Sequence, residues 1–144
     1  FGFDTHAAQG GADGEHGQKL KQVDYTFDVL KKTLGNSFKN TLIITLTEFG
    51  RTLVQNNGYG TEHGYGTSIL LGGGLVKKSQ VYADWPGIKN KNLFEGRDLN
   101  STLDARSVYC SAMSVCFDTD FQLLNTEVFP DEKLNDLTEI LFKV

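Results

Sequence analysis

The chain has 144 residues, 39% hydrophobic, 22% charged and 11% aromatic, with sixteen Gly and two Pro. Leu, Ile, Val and Phe make up about 28% of it, enough apolar material to offset ordering entropy, so a disordered segment is excluded. The net charge of −4 has the wrong sign for a phosphate-backbone binder, so nucleic acid is not an expected partner. No apolar run approaches the roughly 18 residues that a membrane-spanning helix requires.

Residues 1–3 read as the end of a buried strand that stops at Asp4-Thr5-His6, and the Gly-rich stretch 7–18 reads as a mobile loop. The chain opens at Phe1 and its single Met is Met113, so a C-terminal fragment of a larger domain is expected, with part of the site in a missing N-terminal half. Leu20, Val23, Phe27, Leu30 and Leu34 recur at spacings of three and four, which predicts a helix with one stripe facing a sheet, ended by Gly35-Asn36. Residues 41–47, Thr-Leu-Ile-Ile-Thr-Leu-Thr, are β-rich and apolar on both faces, as a central parallel strand would be. Strand, helix and strand form a predicted βαβ unit whose right-handed connection brings Asp4 and Glu48 to one carboxyl edge, where open α/β sheets bind ligands.

A Gly- and Asn-rich loop, residues 55–66, carries His63 back to a third apolar run that breaks at Gly72-Gly73-Gly74. Residues 76–82 are a candidate short strand, and Asp84-Trp85-Pro86-Gly87 a turn. Residues 106–117 are predicted helical, as are residues 131–142 with Leu134, Leu137 and Leu141 on one face. Cys110 and Cys116, six apart on a helix, would sit roughly 9 Å apart and turned about 120° from each other, and should not pair.

Asp4, His6, Glu48 and the pair Glu62-His63 supply oxygen and nitrogen donors that suit zinc, or manganese if more carboxylates join. For any one of them a hydrogen-bonded structural role is the plainer reading. Arg51, three residues past Glu48, could neutralise an ester oxyanion with its planar fork or simply pair with Glu48. Asn57 could orient a ligand or form an Asx turn, and Arg97, Asp98, Asp104 and Arg106 could pin a loop by ion pairs. His16 reads as solvated unless its loop folds over as a lid. Tyr59, Tyr65 and Trp85 could line a pocket for an organic substrate or pack beside Gly turns. Neither the phosphate-cradling nor the dinucleotide-binding glycine pattern is met.

Segments GFDTHAAQ, TEFGRT, NNGYGTEHG, LLGGGLVKK, WPG and GRDLNSTLDAR, spread over residues 1–115, follow the order of one bacterial family. The chain resembles the C-terminal part of the exported proteins called domain of unknown function fifteen-oh-one, within the alkaline phosphatase and sulfatase superfamily. The resemblance implies an α/β fold with a doubly wound, mostly parallel sheet and helices on both faces, and a periplasmic or otherwise exported protein with a twin-arginine signal. It also implies a metal site formed by Asp4, His6, Glu48 and His63, holding zinc, with manganese or calcium as alternatives. A small-molecule phosphate or sulfate ester is the implied substrate, Arg51 its anion-binding residue, and the nucleophile lies upstream of Phe1. Two departures stand out: Glu48-Phe49 replaces the usual Asp-His, and Asp4-x-His6 is tighter than the usual Asp-x-x-x-His. A non-catalytic exported scaffold or binding module that keeps the fold is the competing expectation.

Overall fold

In the computed structural model, residues 1–143 are described. In chain order they form helix α1 (Glu15–Leu34), a 3-10 segment (Gly35–Asn40), strands β1 (Ile43–Ile44), β2 (Gly50–Arg51), β3 (His63–Gly64) and β4 (Leu71–Gly72), and a 3-10 turn (Asn90–Asn92). Helices α2 (Ala105–Phe117), α3 (Phe121–Val128) and α4 (Thr138–Leu141) follow. The chain divides into two compact units: Phe1–Gly35, Leu46–Ser68 and Trp85–Ser101 form the first, and Asn36–Thr45, Ile69–Asp84 and Thr102–Val144 the second.

The expected doubly wound, mostly parallel sheet with helices on both faces is overturned. Both sheets are two-stranded and antiparallel, one pairing β1 with β4 and the other β2 with β3. The apolar run at 41–47 does contribute a strand, but β-propensity and burial report a pleated environment, not a partner or a direction. Its partner returns antiparallel, with Thr45 N–H donating to the Leu70 carbonyl at 3.1 Å. Gly73, just past β4, packs against the start of the run: its φ is +108°, and a Cβ there would lie 2.1 Å from the Thr41 carbonyl oxygen. The apolar stub at 1–3 forms no strand, because Thr5 N–H folds back onto the Phe3 carbonyl at 3.0 Å. Without it the βαβ unit has no first member.

Helix α1 forms where the apolar spacing predicts, beginning five residues earlier at Glu15. Glu15 in its first turn and Lys31 and Lys32 in its last complement the helix dipole, and Lys32 pairs with Asp28 at 2.6 Å. None of its residues is fully buried, so it is not the crossover helix of a covered sheet. No helix of the described residues is long and apolar enough to cross a membrane.

The second unit carries the core. Val108 and Ala112 of α2 meet Leu141 and Phe142, with Leu42, Ile44, Ile69, Leu71, Val115 and Leu137 packed around them. Asp104 caps α2 by accepting from Arg106 N–H at 2.8 Å, and Arg106 bridges Asp104 and Glu132 at 2.6 Å each. The helix expected over 131–142 shrinks to α4, since Asn135 and Leu137 N–H donate to the buried Ser107 and Ser111 hydroxyls at 3.0 and 2.9 Å instead of to a helical ladder. The strand expected at 76–82 reduces to a single bridge, Val76 to Phe142. Cys110 is buried and Cys116 exposed, both as free thiols.

Candidate metal centre

Two stretches of the first unit are stapled together to make the site. Ala7 bridges Tyr59, Ala8 N–H donates to the Gly58 carbonyl at 2.8 Å, and Thr61 N–H to the Thr5 carbonyl at 3.2 Å. Gly60 allows this approach, because a Cβ there would lie 2.3 Å from the His6 carbonyl carbon and 2.4 Å from the Thr5 oxygen. Pairing of β2 with β3 sets Arg51 opposite His63. Residues more than fifty positions apart in sequence are thereby locked side by side.

Asp4, His6 and His63 converge there. Asp4 Oδ1 lies 2.7 Å from His6 Nε2 and 3.8 Å from His63 Nε2, and the two Nε2 atoms are 3.2 Å apart. Glu62 Oε2 stands 2.7 Å from His6 Nδ1. Both nitrogens of the His6 ring therefore face carboxylates, while a neutral imidazole owns one N–H. The rim is open to solvent, with side-chain exposures of 74% for Asp4, 39% for His6 and 54% for His63.

Neighbouring side chains hold each donor in place. Arg51, only 19% exposed, donates to the Thr61 carbonyl at 3.1 Å, to the Phe3 carbonyl, and to Asp4 Oδ1 at 3.3 Å. Its hydrogen bond, helped by the charges of His6, Arg51 and His63, holds the Asp4 carboxyl below its ordinary range. Asn56 donates to the His6 carbonyl and to Glu62 Oε1, and its Oδ1 accepts from the N–H groups of Gly58 and Gly60, both at 2.9 Å. Those bonds from Asn56 and His6 likewise keep Glu62 below its ordinary range. Phe49 stacks on His63 with ring centroids 3.9 Å apart.

Of the four expected ligands the structure brings together Asp4, His6 and His63. Glu48 is exposed at a bend and is not one of the grouped donors. Strand β1 ends at Ile44, three residues before the expected end, and the bend presents Phe49 to His63. Arg51 pairs with Asp4, not Glu48, and its guanidinium is committed to backbone carbonyls as well. His16 sits in the first turn of α1, edge-on to Phe3 at 5.5 Å, outside the cluster.

A family profile described as "Protein of unknown function (DUF1501)" matches residues 1–115. The chain belongs to this family. No curated protein and no solved structure matches it. The span shared with DUF1501 contains the complete cluster, its Glu62 and Asn56 supports and Arg51, and ends within α2.

Two residues that matter escaped the sequence reading in their roles. Glu62 orients a ring instead of completing the donor set, and Asn56, not Asn57, is the hub of the loop. The signal available for Asn56 was its position two before Gly58, the spacing of an Asx turn.

Proposed function

We propose that this DUF1501 chain is a divalent-metal-dependent hydrolase domain for phosphate or sulfate esters, with Asp4, His6 and His63 as the ligands. The observation that supports it most is the Asp4, His6, His63 triangle. Its edges of 2.7, 3.2 and 3.8 Å bracket the ~3.3 Å between ligand atoms of a tetrahedral zinc with bonds of about 2.0 Å. Two imidazoles and one carboxylate, with a solvent-facing fourth direction, are the donor set of hydrolytic rather than structural zinc. An ion bound there would supply Lewis acidity and lower the pKa of a coordinated water.

The remaining residues prepare that chemistry. Glu62, accepting from His6 Nδ1, fixes the ring tautomer so that Nε2 faces the rim, the arrangement that raises ligand basicity at metal sites. Asn56 fixes Glu62, Phe49 fixes the plane of His63, and Arg51 fixes Asp4. The charges of Arg51, Asp4 and Glu62 total −1, which a divalent ion converts to +1. That sign favours an anionic ester over a neutral or cationic one. Kinship with the exported family extends the proposal to a periplasmic location reached through a twin-arginine signal.

Hydrolysis of p-nitrophenyl phosphate and p-nitrophenyl sulfate by chelator-stripped protein, before and after zinc or manganese is restored, tests the proposal. Turnover that returns with metal and is lost in His63→Ala supports it. Saturable metal binding without turnover of either ester rejects the hydrolase and leaves a metal-carrying binding module, the reading favoured by the committed guanidinium of Arg51.

A further inference from the structure

On the same stapled stretches the first unit has an open cleft of about 520 Å³, whose lining side chains are those of Gln9, Leu53, Gln55, Tyr59 and Thr61. Its chemistry differs from that of the rim beside it. Among the described residues no charged side chain lines it, and Leu53 is the single aliphatic one. An ionic ligand would find no countercharge, and a long apolar one little surface. Two carboxamides, the acceptor side of the Thr61 hydroxyl and one aromatic face suit a neutral group rich in hydroxyls.

Side-chain hydrogen bonds shape one wall of the cleft. The side-chain Oε1 of Gln9 accepts from the Thr5 and Thr61 hydroxyls at 3.0 and 2.7 Å, which fixes the amide. Tyr59 is 72% exposed and holds φ at +60°, a conformation bulky residues avoid. Its carbonyl accepts from Gln9 N–H at 2.9 Å and its N–H donates to the Asn56 carbonyl at 3.2 Å. The ring therefore stands in solvent on a backbone that glycine would adopt without strain.

We infer that this cleft receives the neutral, polyhydroxylated part of the substrate, a sugar or cyclitol ring laid on Tyr59, while the ester group faces the Asp4, His6, His63 rim. The inference rests on the metal-site proposal for the ester end only. Thr61 joins the two regions, lying one residue from Glu62 and two from His63. Tyr59 is then a specificity-determining residue.

The test uses chelator-treated chain, so that it does not depend on metal. Glucose, N-acetylglucosamine and myo-inositol are titrated at millimolar concentrations, with binding followed by saturation-transfer NMR and by the ring resonances of Tyr59. At least one probe should bind saturably, Tyr59→Phe should keep the affinity, and Tyr59→Gly should weaken it about tenfold without lowering the unfolding temperature. No saturable binding by any probe, or equal affinity in Tyr59→Gly, overturns the inference. Zinc affinity of the same variants is measured in parallel. If Tyr59→Gly loses zinc and sugar together, the ring is structural and the inference falls. If sugar binding stands while the wild-type chain takes up no metal, the ester hydrolase reading fails and the cleft remains.

Discussion

Replacing Asn56 by Ala removes four side-chain hydrogen bonds at once. Two of them, to the His6 carbonyl at 2.8 Å and from Gly60 N–H at 2.9 Å, are partly buried, and those to Glu62 and Gly58 are exposed. Crediting each partly buried bond with about 1 kcal/mol and the exposed pair with little gives a loss of ~2 kcal/mol. For a chain of this size that lowers the unfolding midpoint by roughly 6–10 °C. Glu62 also loses its brace, so His6 is less well oriented, and zinc affinity should fall about 10- to 100-fold. The control is Asn57→Ala, one residue on, exposed and without a side-chain hydrogen bond among the described residues; it should stay within ~0.5 kcal/mol of wild type. Thermal unfolding followed by circular dichroism gives the midpoints, and hydrogen exchange at the Gly60 N–H tests the local cause. Equal effects of the two substitutions, or unchanged exchange at Gly60 in Asn56→Ala, would refute the hub.

Gly60→Ala should destabilise the first unit by ~2–4 kcal/mol, since the new methyl meets backbone of Thr5 and His6. Gly11→Ala, whose added methyl has no neighbour within 4 Å, should change stability by less than ~0.5 kcal/mol in the same denaturant titration. In the second unit, Arg106 above all lowers the pKa of Asp104 from its ordinary value of 3.8. The unfolded chain therefore takes up that proton first. The contribution of Asp104 is complete at neutral pH and fades as pH falls below about 4 through the lowered folded value. Asp104→Ala should cost ~1 kcal/mol at pH 7, largely the helix cap given the partial exposure of the ion pair, with the difference from wild type shrinking in acid. Equal differences at pH 7 and pH 3 would contradict this.

Local features were legible in the sequence and global ones were not. The α1 stripe and the Arg106 to Phe117 helix follow from spacing, because helical periodicity is a property of neighbouring residues. The ion pairs of Arg97 with Asp98 and of Arg106 with Asp104 are also local. Strand direction was not legible, since an apolar run at 41–47 suits either kind of neighbour and its partner, Leu71–Gly72, is remote in sequence. The fate of 131–137 depended on the Ser107 and Ser111 hydroxyls, more than twenty residues away. Helix α3 was missed because eight residues give too short a period to read, although Asp120 caps it visibly. In the site, Asp4, His6 and His63 were readable as residue types beside Gly-rich turns. The placing of Glu48 hinged on where β1 ends, which is the least determined property of an apolar run.

The chemistry proposed for this chain depends on the Asp4, His6 and His63 rim taking a metal ion. Calorimetric titration of zinc into chelator-stripped chain measures this directly. One ion per chain is expected, with affinity falling as pH is lowered because the ligands must give up their protons, and with the strong phase lost in both His6→Ala and His63→Ala. A wild-type chain that shows no saturable zinc uptake, or a His63→Ala variant that binds as tightly as wild type, would contradict it.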